Sequence, residues 1–177
     1  MWVDDVLKFW FEAIEPQAWF TKSDAFDQEV GQRFAALHES LLHDRIVIPG
    51  NARGYLAAII VLDQFSRNLF RGSPQAFAAD PKALNLAKEA IELGFDKEVM
   101  ARERAFFYMP LMHSEALEDQ EKCVALFTPL GNAESLKYAI EHRDIIERFG
   151  RFPHRNAILK RDPTKEEAEF MRTHAGF

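Results

Sequence analysis

Apolar residues recur at intervals of three and four along almost the whole chain, the period of helices with one buried face. The strict alternation that marks strands joined by tight hairpins is absent. The spacing predicts a first helix over residues 2–14, burying Val3, Val6, Leu7, Trp10, Phe11 and Ile14 and stopped by Pro16. Ser23 is a good N-cap for a second helix that carries Phe26, Val30, Phe34, Leu37 and Leu41 inward. A third, over residues 52–69, follows the Pro49-Gly50 turn. Ser73-Pro74 and Asp80-Pro81 each place a capping side chain before a proline at the first helical position, and Gly94 ends a helix over 81–93.

Residues 101–112 read as another helix, with Pro110 removing one backbone donor and predicting a kink or an early end. Ser114 is then a cap and Glu115 a first-turn acid for a helix over 115–128. Asn132 opens, and Gly150 closes, a helix over 133–149. Thr164-Lys165-Glu166-Glu167 forms a capping box for a short last helix. The fold class is therefore all-α: about eight helices in antiparallel pairs, arranged as a bundle or as a solenoid-like right-handed array. With no linker, low-complexity tract or internal repeat in sight, residues 1–177 read as one domain.

Composition narrows the class. Hydrophobic residues make up 47% of the chain and charged ones 28%, with 16 phenylalanines, a globular balance around an aromatic core. The single cysteine, Cys123, supports no disulfide framework and points to a reducing cytoplasm. The N-terminus carries Asp4 and Asp5 where a secretory signal would be basic, and the longest apolar run, Tyr55 to Leu62, is too short to cross a bilayer. A net charge of −6 argues against nucleic acid as a partner.

Three stretches depart from plain packing. At 100° per residue, Ala57, Ile60, Val61, Gln64, Arg67, Asn68 and Arg71 share one stripe of the third helix, apolar first and polar last. Asp63 stands i,i+4 from Arg67 and is placed to pair with it. Such a line leaves a hydrophobic layer for a polar cavity or rim, or emerges into solvent.

The second stretch is HRDIIERFGRFPHRN, residues 142–156, where His142 interrupts the apolar stripe of Tyr138, Ile145 and Phe149. Asp144 with Arg148, and Glu147 with Arg151, form i,i+4 pairs, and His154, Arg155 and Asn156 follow. Windows 63–71 and 143–155 hold six of the 13 arginines and none of the nine lysines, a local excess of three positive charges against −9 elsewhere. Arginine is the residue for two-pronged contact with carboxylate or phosphate, so these windows read either as a basic site or as ties to buried carboxylates.

The third stretch, FFYMPLMHSEALEDQ over residues 106–120, sets His113, Ser114 and Glu115 together at the proline-marked break. Phosphate loops, HExxH or Cys/His metal spacings, nucleophile elbows and EF-hands are all missing, so neither a metal nor an organic cofactor is expected.

These motifs, together with FWF at 9–11, WF at 19–20, LDQFSRNLFRG at 62–72 and PTKEE at 163–167, resemble the bacterial domain-of-unknown-function 924 family from end to end. The resemblance implies an all-helical, tetratricopeptide-like arrangement of helix pairs. It implies no activity, because the family has no accepted catalytic residues. Two positions depart from the family pattern: Ser66 stands where proline is expected and Lys160 where glycine is usual. Serine restores a backbone donor, which predicts a more regular helix through Arg67.

The residues point first to a binding module for a small anion or an acidic peptide group. Its expected ligand-binding set is Asp63, Gln64, Arg67, Asn68, Arg71, His113, His142, Arg148, Arg151, His154, Arg155 and Asn156. A second reading is a cofactor-free hydrolase, with His113 or His142 as general base oriented by Glu115 or Asp144. A third makes the set a polar network that ties residues 150–160 onto the third helix.

Overall fold

The structure, a computed structural model, describes residues 1–174 and residue 176. Among the described residues there is no strand, and eight helical rods follow one another. Helix α1 (Trp2–Lys8) runs on as a π-turn over Phe9–Ala13, and α2 covers Asp24–Leu42. Helix α3 (Ala52–Ile59) passes through a second π-turn, Ile60–Phe65, into α4 (Ser66–Leu69). Then come α5 (Asp80–Glu92), α6 (Ala101–Met112), α7 (Leu117–Phe127), α8 (Ala133–Phe149) and α9 (Lys165–Phe170). Contacts gather the chain into two compact units, residues 1–110 and 111–177.

In the N-terminal unit the α3–α4 rod is the hub. Helices α1 and α5 pack on α3, while α2 packs on the π-turn and α4. Every residue from Leu56 to Ser66 is buried, so the rod is enclosed on all sides rather than along one stripe. The π-turn belongs to that enclosure, because a wider turn rotates less per residue and shifts the phase of the buried positions. The same device lets Phe9, Trp10 and Phe11, three consecutive buried aromatics, fan over a narrow arc. Trp10 meets Phe65 at 5.4 Å and Phe106 at 5.7 Å between ring centroids, and Phe34 meets Phe65 at 4.8 Å.

In the C-terminal unit, α7 and α8 pack together as a hairpin turned by Thr128–Leu130 and Gly131, whose φ of 71° suits glycine. Ile145, Ile146 and Phe152 form the unit's core, with Phe149 and Phe170 packed against them.

Most caps stand where the sequence puts them. Ser23, Asn132 and Thr164 accept from Phe26, Ser135 and Glu167 N–H, and the Thr164–Glu167 box closes in both directions. Four local expectations change. Helix α6 runs through Pro110 to Met112, because buried Phe107, Tyr108 and Leu111 hold the segment helical despite the missing donor. Asp80 is not a cap but the first residue of α5, its carboxylate drawn to Arg67. Helix α7 starts at Leu117, so Glu115 lies outside its first turn, and Ser114 Oγ donates to Asp119 at 2.7 Å. Ser66 does not restore regularity: the helix reaches Arg67 through the π-turn.

Candidate functional site

Along the third rod, burial falls in the order the stripe predicts: Gln64 is buried, Arg67 and Asn68 are half-buried, and Arg71 is exposed. The polar end is held by carboxylates from other helices of the same unit. Arg67 donates through both Nη atoms to Asp80, at 2.8 and 2.9 Å, and also to the Ala76 carbonyl, with its guanidinium 4.6 Å from the Phe77 ring centre. The expected i,i+4 pair with Asp63 also forms, at the long distance of 3.9 Å, and the Asp63 carboxylate accepts from Gln64 Nε2 at 2.6 Å as well. Arg71 grips Asp27 through Nε and Nη2 at 2.5 and 2.7 Å, and Asn68 donates to the same carboxylate at 2.8 Å. Burial works to raise Asp27, but the Arg71 and Asn68 donors outweigh it, so the carboxyl lies below its ordinary value.

Behind this row, Ser66 Oγ donates to Leu62 O at 2.5 Å and lies 2.7 Å from His38 Nε2. With the hydroxyl proton committed to a carbonyl, Nε2–H is the donor to Oγ. Proton flow in this buried pair therefore runs opposite to that of a histidine activating a serine.

The C-terminal unit is built around Phe152. Its N–H donates to Glu115 at 2.8 Å and its carbonyl accepts from Arg161 Nη2 at 3.0 Å. Arg161 and Glu115 close the ring with a two-pronged pair at 2.7 and 3.0 Å. Burial pushes Glu115 up, and Arg161, the Phe152 N–H and Arg155 more than offset it, leaving the carboxyl below its usual range. Arg155 is itself buried, 4.6 Å from the Phe152 ring centre, and donates to the His113 carbonyl at 3.0 Å. Asn156 Oδ1 accepts from Arg161 Nε at 2.9 Å.

Three histidines surround this loop. His142 Nδ1–H donates to Tyr138 O at 2.7 Å, and its ring stands edge-on to Phe152 at 5.5 Å and 6.4 Å from that of His113. Burial, reinforced by His113, holds His142 down to about 3. Burial and the Arg155 charge hold His154 down to about 4. The carboxylates expected to orient a catalytic histidine are committed elsewhere. Both Glu115 oxygens serve Arg161 and the Phe152 N–H, and exposed Asp144 accepts from its neighbour Arg143 at 2.7 Å.

The expected i,i+4 pairs on α8 do not form, because α9 offers better partners. Arg148 pairs with Glu166 at 2.8 Å, and Arg151 grips Glu167 at 2.6 and 2.7 Å. Glu167 is 2% exposed, and its pair with Arg151 holds its carboxyl down to about 2. Between these two pairs lies an open hollow of about 430 Å³, lined by Arg148, Phe149, Arg151, Thr164, Glu166 and Glu167.

The model of a family described as a bacterial protein of unknown function, DUF924, matches residues 6–175. The chain belongs to this family. A solved structure of a protein of unknown function from Agrobacterium tumefaciens is 42% identical, covers 97% of each chain and aligns with a TM-score of 0.91. No curated protein matches. Neither relationship brings an assigned activity to the DUF924 chain, so its side chains carry the functional reading.

Of the expected ligand-binding set, the hollow gathers only Arg148 and Arg151. Asp27, Asp80, Glu166, Glu167 and Arg161, none of them in that set, are the groups that decide what its arginines do. Glu166 and Glu167 belong to the capping box that the sequence shows, whereas Arg161 lies five residues beyond the 142–156 motif, with no local signal to single it out. Among the described residues no three His, Cys, Asp or Glu side chains gather into a metal-ligand set, and no helix is long and apolar enough to cross a membrane.

Proposed function

We propose that the protein is a binding module that takes a small anion or an acidic peptide group in the hollow between α8 and α9, with Arg148 as the cation that meets it. The observation that carries this reading is the unequal hold on the two lining arginines. Arg151 is locked to a buried carboxylate, while Arg148 is 52% exposed and held by Glu166, itself 63% exposed. An exposed ion pair of this kind contributes about 0–1 kcal/mol, so a ligand carboxylate or phosphate displaces Glu166 at small cost. The Arg148 guanidinium stands 4.7 Å from the Phe149 ring centre, which limits its freedom before the ligand arrives. Arg67, Arg71, Arg151 and Arg161 serve the fold in this reading, and Thr164 lines the hollow with a hydroxyl.

The geometry favours binding over acid–base chemistry. A histidine held at about 3 is a weak base at neutral pH, and the His142 Nδ1–H is already spent on Tyr138. The buried, solitary Cys123 fits a cytoplasmic setting, and the net charge of −6 fits a small acidic ligand at one local cation better than a nucleic acid.

Calorimetric titration with an oligoglutamate peptide and with inorganic phosphate tests the reading. Arg148→Ala abolishes binding, whereas Glu166→Gln, which removes the resident competitor, tightens it by up to about fivefold. Unchanged affinity in Arg148→Ala, or no binding by either the wild type or Glu166→Gln, overturns it.

A further inference from the structure

The N-terminal unit carries a second hollow, unrelated to the arginine windows. It encloses about 330 Å³, within the range of small-molecule sites, and is lined by Trp2, Asp5, Arg33, Phe34 and Leu37. Helix α1 contributes Trp2 and Asp5 one turn apart, and α2 contributes Arg33, Phe34 and Leu37 on adjoining turns. Phe34 is buried, Trp2 and Leu37 are half-buried, and Asp5 and Arg33 are exposed. One wall is thus aromatic and aliphatic, and the rim holds one fixed charge of each sign.

Two details make the rim more than scattered surface charge. The Arg33 guanidinium stands 4.3 Å from the Phe9 ring centre and 5.2 Å from that of Phe34, so two aromatic rings hold the cation in place. Its ion pair is the weak, exposed one to Glu29 at 3.3 Å, and it does not close on Asp5 across the hollow. Among the described residues the Asp5 carboxylate takes part in no side-chain hydrogen bond or ion pair. Opposite charges that line one hollow without pairing match a molecule carrying both charges itself.

We propose that this hollow binds a free α-amino acid with an apolar side chain. The ammonium group donates to the Asp5 carboxylate, the ligand carboxylate accepts from the Arg33 fork, and the side chain covers Trp2, Phe34 and Leu37. A ligand lacking either charge leaves one rim group unanswered, and one lacking the side chain leaves the aromatic wall in water.

Calorimetric titration of the full chain with phenylalanine, N-acetylphenylalanine, phenylalaninamide and glycine tests this. Phenylalanine binds, and each of the other three binds at least about tenfold more weakly. Asp5→Asn weakens phenylalanine by about tenfold but leaves N-acetylphenylalanine unchanged, and Arg33→Gln does the same with phenylalaninamide as the indifferent ligand. Unchanged melting temperatures for both variants show that the unit remains folded. Equal binding of all four compounds, or no heat from phenylalanine at millimolar concentration with folded protein, overturns the proposal.

Discussion

At residue 160 the chain adopts φ 55°, a left-handed conformation that strains any side chain bearing a Cβ, and Lys160 is exposed with no packing to compensate. Relieving the strain gains about 1–2 kcal/mol, and glycine's greater freedom in the unfolded chain returns about 0.5–1 of it. Lys160→Gly therefore raises the melting temperature by about 1–4 °C, read by thermal denaturation. The glycine that the family resemblance leads one to expect here would thus have a backbone cause. Asp44 shares the same φ but holds Lys82 Nζ at 2.5 Å, and aspartate tolerates the conformation better. Asp44→Gly accordingly gives no comparable gain in the same melt. Ser66 is a third case: removing its hydroxyl strands the buried His38 Nε2–H, so Ser66→Ala costs about 1–3 kcal/mol in denaturant unfolding.

At the scale of elements, the closure around Phe152 is a loop ordered by one ion pair rather than by helix propensity. Glu115 answers the Phe152 N–H and Arg161 shares the Phe152 carbonyl with the Arg155 N–H, so removing either side chain leaves the other's part-buried charge without its partner. Their side chains are 29% and 22% exposed, between the surface and buried cases, which puts Arg161→Ala at about 2–3 kcal/mol. In a double-mutant cycle with Glu115→Ala by denaturant unfolding, the second change costs little once the first is made. Strict additivity would show that the two side chains act separately. This closure also marks the limit of what the sequence discloses. Caps at Ser23, Asn132 and Thr164 were legible because the signal lies within four residues of its effect. Glu115 and Arg161 are 46 residues apart, and no local rule pairs them. The π-turn at Ile60–Phe65 escaped for a related reason: its cause is burial on every side of the rod, whereas a 100° wheel assumes one buried face. The wheel still puts the polar exit at Arg67 and Asn68, which lie in the α-helical turn beyond Phe65, whereas Arg71 stands in the turn past Leu69.

Across the whole molecule, acid sensitivity comes from histidines kept neutral by burial in both units. His38, in the N-terminal unit, lies below its ordinary value through burial and the neighbouring His43, while His142 and His154, in the C-terminal unit, are held at about 3 and about 4. Each folded value lies below the unfolded value of 6.5, so on acidification the unfolded chain takes up protons first. Stability from these groups is complete above pH 6.5 and is lost as pH falls, for His154 down to about 4 and for His142 down to about 3. Each histidine contributes a slope of at most about 1.4 kcal/mol per pH unit in that interval. The lowered carboxyls of Asp27, Glu115 and Glu167 give stability that is present above their ordinary values and lost only as pH falls below them. The window between pH 6.5 and 4.5 is therefore largely a histidine signal. Denaturant unfolding of wild type and His142→Gln across that window isolates one member, since glutamine offers the Tyr138 carbonyl a donor but takes up no proton. The variant's stability falls with a slope shallower by about one proton, or about 1.4 kcal/mol per unit. Parallel slopes would mean that His142 titrates alike in folded and unfolded chains, and its burial against Phe152 would then have no electrostatic consequence.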